Sequence, residues 1–136
     1  MANTFYSYLA FIAPNSNASL SLLKNNLETF YQKGTIENKP EIVLDNNQID
    51  IIFDDDYQLH IAFSEEEYVN EEALELAEQY ELDWNENVFD KATLQTCQKR
   101  FEIWGDDDFD MDYFNDSLFV IEEIENFSDV IIFSIQ

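Results

Sequence analysis

The sequence predicts an α+β domain: a single mixed, mainly antiparallel sheet of five or six strands with a β-meander, packed by three or four helices in the order β-α-β-β-β-α-(α)-β-α-β. Three observations predict it. Apolar residues recur at helical spacing in some stretches, and on alternate or continuous positions in others. Three strand-like runs between residues 41 and 63 are separated by gaps of two and three residues, which only hairpins close. The 136 residues include Gly 2 and Pro 2 and are 46% hydrophobic, enough for one core and no linker, so residues 1–136 are read as a single domain.

Phe5–Ile12 is aromatic or apolar at nearly every position, the pattern of a central strand buried on both faces. Pro14-Asn15-Ser16-Asn17 is turn chemistry, with Asn17 or Ser19 able to cap a helix whose inward residues are Leu20, Leu23, Leu27, Phe30 and Tyr31; Gly34 ends it. Glu41–Asp45, Gln48–Phe53 and Tyr57–Phe63 read as the meander, turned at Asn46-Asn47 and Asp54-Asp55-Asp56. Ser64 and Glu67 have capping-box spacing for a helix to Tyr80, with Asn70 as a competing start and Val69, Ala73, Leu76, Ala77 and Tyr80 inward. Glu81–Asn87 is an acidic loop holding Trp84, and Asp90 can cap a short helix over Lys91–Gln98. Lys99–Trp104 alternates as a strand, Asp106–Asp110 is a loop, and a helix over roughly Met111–Glu125 buries Tyr113 or Phe114, Leu118, Ile121 and Ile124. Val130–Ile135 is a terminal strand, apolar enough to lie inside the sheet.

Charge is the other signal. The formal net charge is −24, far outside the magnitude of about 2–8 usual for a small domain. It is concentrated: residues 1–40 sum to +1 and residues 41–136 to −25, with fourteen acids and no base between Asp54 and Asp90. Self-repulsion of this size destabilises the fold, which points to a use outside it. Direct nucleic-acid binding needs lysine and arginine to displace counterions, and an anionic membrane surface needs them too, so both are excluded as partners. The N-terminus lacks signal-peptide features, no stretch approaches a membrane span, and Cys97 is the single cysteine, so a cytoplasmic protein is expected.

The densest anionic stretch is Phe101–Asp116, FEIWGDDDFDMDYFND, with Asp106, Asp107, Asp108, Asp110, Asp112 and Asp116 interleaved with aromatics. Read as a calcium loop from Asp106, it puts Met111 where glycine is required and Ser117 where a bidentate glutamate is required, so no calcium motif is present. One histidine, His60, and one cysteine cannot build a zinc set, and two glycines leave no phosphate cradle. No nucleophile triad is legible, so the sequence assigns no catalytic residue, metal or cofactor. Halophilic adaptation fits poorly with thirteen asparagines and a core rich in phenylalanine and isoleucine. The remaining reading is electrostatic complementarity to a basic protein, with the contact placed on Asp106, Asp107, Asp108, Asp110, Asp112 and Asp116, on Asp54, Asp55 and Asp56, and on the helix face of Glu71, Glu75 and Glu78. Trp84 and Phe109 stand among the carboxylates as aromatic anchors, with Tyr113 and Trp104 as further ones.

In size, cysteine usage and charge, and in the strand–DDDFDMDYFND–helix–strand pattern of Arg100–Gln136, the chain resembles bacterial immunity proteins of polymorphic or contact-dependent-inhibition toxins. Its charge is also similar to that of inhibitors that mimic nucleic acid. The resemblance covers about a quarter of the chain and implies a cognate toxin as partner, a basic nuclease blocked by occlusion of its cleft. The alternatives are a small cytoplasmic enzyme or divalent-metal module using clustered carboxylates, and an acidic regulatory adaptor. Self-association is left open.

Overall fold

The computed structural model describes residues 5–33, 39–81 and 91–134. Its elements are β1 (Phe5–Ile12), α1 (Leu20–Lys33), β2 (Glu41–Asp45), β3 (Gln48–Ile52), β4 (Gln58–Ser64), α2 (Glu67–Glu81), α3 (Lys91–Gln95), β5 (Lys99–Gly105), α4 (Phe114–Glu125) and β6 (Val130–Ser134). This is the predicted α+β order. The strands form one open sheet in the order β2-β3-β4-β5-β1-β6, and all five pairings are antiparallel. The Gly34 and Asp90 caps, Trp84 and the end of the last strand lie outside the described residues, as does the side chain of Tyr80.

Strand alternation divides the side chains between two cores. On one face Ala10, Ile49, Ile51, Leu59, Ile61, Phe101 and Ile103 pack against Leu23, Leu27 and Tyr31 of α1 and Val120, Ile121 and Ile124 of α4. On the other, Phe11 and Phe133 meet Val69, Ala73 and Ala77 of α2, with Leu94 and Cys97. The i, i+4 spacing of that Val-Ala-Ala stripe puts small side chains on the face of α2 that meets the sheet. Among the described residues this smaller core takes only β1 and β6 from the sheet, so the same face of β2, β3 and β4 has no helix of this core over it. Arg100 is buried at the border, donating to Glu72 and Glu102 at 2.8 Å each and lying over the rings of Phe11 and Tyr68. Burial alone would lower its pKa; the two carboxylates outweigh that and hold it above the ordinary value.

Four expectations are corrected. Ser64 does not cap α2: it is the last residue of β4, paired with Arg100, and its hydroxyl meets that of Tyr68 at 2.7 Å. Asn70 is no start either, because its amide donates to the carbonyls of Gln95 and Cys97 and ties α3 to α2. Because Thr96 and Cys97 turn back on Thr93 and Leu94 at 3.0 Å, α3 ends three residues early. Finally, among the described residues β6 is an edge strand, paired only with β1. Its continuous apolar run reflects helices above and below it, with Val130 and Ile132 on one core and Ile131 and Phe133 on the other, not strands on both sides.

Candidate functional site at the acidic end of the sheet

The register brings the two aspartate-rich stretches to one end of the sheet. Gly105, at the end of β5, pairs with Phe5 of β1 and Leu59 of β4, so the loop after β5 emerges beside the β3–β4 hairpin. In that hairpin Phe53 and Tyr57 pair across the three aspartates, with the Phe53 N–H donating to the Tyr57 carbonyl at 2.9 Å. Asp56 takes a left-handed φ of 69°, the geometry that closes a three-residue loop.

Two tyrosines lock the loops together. Tyr113 of the second loop donates to Asp55 of the first at 2.5 Å, and Tyr57 of the first donates to the Asp106 carbonyl of the second at 2.8 Å. Their rings stack with centroids 4.1 Å apart and planes 4° apart. Burial beside aspartates raises both phenols well above the ordinary tyrosine range. The Tyr113 hydroxyl in turn holds the Asp55 carboxyl below its usual value. Gly105 is what lets Tyr57 approach: a Cβ there would lie 2.7 Å from the Tyr57 hydroxyl and 2.9 Å from a Leu59 methyl.

Asp108 is the internal fastener of the second loop. It is buried, and its carboxylate accepts from the Asp112 N–H at 3.1 Å, the Tyr113 N–H at 2.7 Å and the Tyr6 hydroxyl at 2.7 Å. Tyr6 reaches it through an irregularity in the β1–β5 pairing, with a left-handed φ of 57° that a bulky residue adopts only when its surroundings enforce it. Met111 is also left-handed, at 58°, so the helix expected from Met111 begins at Phe114 instead. One turn on, Tyr31 of α1 donates to Asp116 of α4 at 2.8 Å, and burial pushes the Asp116 carboxyl above its usual value despite that bond.

The predicted contact residues therefore fall into distinct groups. Asp54, Asp56, Asp107, Asp110 and Asp112 are exposed and their carboxylates make no hydrogen bond or ion pair among the described residues. Asp55 and Asp106 are exposed but engaged, the latter accepting from the Gln58 N–H and lying 3.1 Å from His60 Nε2. Asp108 is consumed by the fold, and Asp116 is partly so. Reversing Asp106, Asp107 and Asp108 together therefore cannot leave the fold untouched. Glu71, Glu75 and Glu78 are exposed on α2, over the smaller core, and no described hydrogen bond or ion pair joins them to either loop. Trp84 lies outside the described residues. Phe109 is 80% exposed, whereas Tyr113 is half-buried in its stack.

The sequence reading missed Tyr6, Tyr57, Met111 and Phe114. A signal for two of the tyrosine links was present, since Asp56-Tyr57 and Asp112-Tyr113 each end an aspartate run with a phenol. On the neighbouring sheet face His60, which alternates with the apolar positions of β4, is a hydrogen-bonded imidazole: it stacks on Trp104 and its two ring nitrogens lie 2.7 Å from Asp50 and 3.1 Å from Asp106. Among the described residues, no group of three or more His, Cys, Asp or Glu side chains is placed to hold a metal ion. Cys97 is buried, which pushes its thiol up to about 11. No helix among the described residues is long and apolar enough to cross a membrane. Compared with protein families, curated proteins and solved structures, the chain matches none.

Proposed function

We propose that this protein is a stoichiometric inhibitor of a basic protein, an immunity partner that neutralises a nuclease toxin by electrostatic and steric occlusion of its active cleft. The observation that carries this reading is the reciprocal tyrosine link between the two anionic loops, Tyr113 to Asp55 and Tyr57 to Asp106. It joins the two acidic loops into one ridge whose outer carboxylates, Asp54, Asp107, Asp110 and Asp112, are exposed to face a cationic cleft. A pre-set array of carboxylates loses little conformational freedom on binding, and its field accelerates encounter with a basic surface. The Glu71–Glu78 face of α2 is a separate anionic surface in this reading, secondary to the ridge.

The test is capture of the partner from the native cell on the tagged protein, followed by titration of that partner's nuclease activity. Complete inhibition at equimolar protein is expected. The combined variant Asp54→Lys, Asp107→Lys, Asp110→Lys should keep its thermal unfolding midpoint yet weaken inhibition at least about tenfold, since close interfacial charge pairs are worth about 1.5 kcal/mol or more. A captured partner whose activity is unaffected would refute the inhibitor reading, and an unchanged inhibition constant would move the contact off the ridge.

A further inference from the structure

The acidic ridge carries an apolar patch that its electrostatics do not explain. Phe109 is 80% exposed, Met111 56% and Phe114 39%. Ring contacts join the patch: Phe109 meets Phe5 edge-on at 5.2 Å, Phe5 meets Tyr6 at 6.0 Å, and Tyr6 meets Phe114 at 6.3 Å. The exposure is enforced by the fold. The Asp108 carboxylate, with the left-handed backbone at Met111, fixes the course of the loop on either side of the patch. Exposed apolar surface of this kind forgoes the stabilisation that burial would supply.

We infer that this patch is the anchor of the interface: it docks an apolar side chain carried on a lysine- or arginine-rich segment of a partner protein. The inference rests on the reading that the acidic end meets a basic protein, and it adds that affinity is centred on apolar contact with charge at the rim. Charge complementarity selects this occupant. Asp110 lies between Phe109 and Met111, Asp112 follows Met111, Asp107 is two residues before Phe109, and all three aspartates are exposed. A neutral apolar partner would desolvate them without compensation, and a second copy of this chain would bring like charges together. A cationic segment with an apolar side chain satisfies both parts of the surface.

The test uses two synthetic peptides of equal positive charge, one of lysine and glycine only, the other with leucine and phenylalanine along one helical face. Each is titrated calorimetrically into the full chain at about 0.1 M and about 1 M salt, between which the screening length falls from ~10 Å to ~3 Å. The lysine–glycine peptide should lose its binding at high salt, and the amphipathic peptide should keep it. Phe109→Ala with Met111→Ala should weaken the amphipathic peptide about tenfold or more and leave the other unchanged. Both side chains are exposed, so the variant keeps the fold. If the double variant binds the amphipathic peptide like the parent, or if amide shifts on titration map to Glu71–Glu78 instead of residues 109–114, the anchor is overturned while the basic-partner reading stands. If neither peptide binds the parent chain at low salt, both fall together.

Discussion

The two ends of the sheet close their turns with different chemistry. At one end, the chain before α1 and the chain before β6 are held by neutral groups: the Asn17 side chain accepts from the Ser128 N–H at 2.9 Å and from its hydroxyl at 3.2 Å, and Ala13 donates to the Asp129 carbonyl. Among the described residues, the open cleft of about 350 Å³ there has Lys99 as its single charged lining residue. At the other end, the equivalent work falls to phenols: Tyr6 and Tyr113 donate to the Asp108 and Asp55 carboxylates, and Tyr57 donates to the Asp106 backbone carbonyl. Turn closure alone does not require charge, as the neutral end demonstrates. What the acidic end adds is carboxylates built into the closure: the exposed acids of the other end, Asp45, Glu65, Glu66, Glu67 and Asp129, make no side-chain hydrogen bond among the described residues, whereas Asp55 and Asp108 fasten their loops.

The comparison breaks most visibly in alkali. Tyr6, Tyr31, Tyr57 and Tyr113 have folded-state pKa values raised by burial and by neighbouring aspartates, so the protonated phenols stabilise the fold. Their contribution is fully present below the unfolded value of about 10 and is lost as pH rises above it towards the folded values. Urea midpoints should fall steeply above about pH 10, with tyrosinate absorbance appearing in step with unfolding. Early, non-cooperative ionisation of these phenols would contradict the locked ridge.

Asp108→Ala is the largest single change expected. It strands two backbone N–H groups and the Tyr6 hydroxyl, a loss of about 3 kcal/mol by urea unfolding at neutral pH. Gly105→Ala follows at about 1–3 kcal/mol, because the added methyl displaces Tyr57 from its place against the second loop. A loss below about 0.5 kcal/mol would mean that Tyr57 yields without strain. Smallest is Asn17→Ala at the neutral end, about 1 kcal/mol. That deficit should be the same at pH 7 and at pH 10, since no ionisable group takes part in the contact; a pH-dependent deficit would erase the distinction between the ends.

Much of the fold was legible because its signals are local. The period-two runs of residues 41–63 with their short gaps specified the meander, and Leu23, Leu27 and Tyr31 at helical spacing specified the inward face of α1. The misreadings arose where a distant group won. Ser64 reads as a cap beside Glu67, but pairing with Arg100 keeps it in β4. Met111 reads as helical, but the loop fastened by Asp108 holds it left-handed. The apolar run of β6 reads as interior, because periodicity registers burial above and below a strand and carries no information about its lateral neighbours.

The site divides along the same line. By itself the sequence determined that the chain is heavily anionic from residue 41 onward, that Asp54–Asp56 and Asp106–Asp116 are its dense stretches, and that aromatics sit among them, since composition and spacing are properties of the chain. Only the tertiary structure decided that the two stretches meet and that Asp108 is buried while Asp107 is free. It also decided that Phe109 stands in solvent while Tyr113 is stacked against Tyr57. The reason is physical: neighbouring aspartates are chemically identical in sequence, and what separates them is which one lies within hydrogen-bonding reach of N–H and O–H donors brought from another strand.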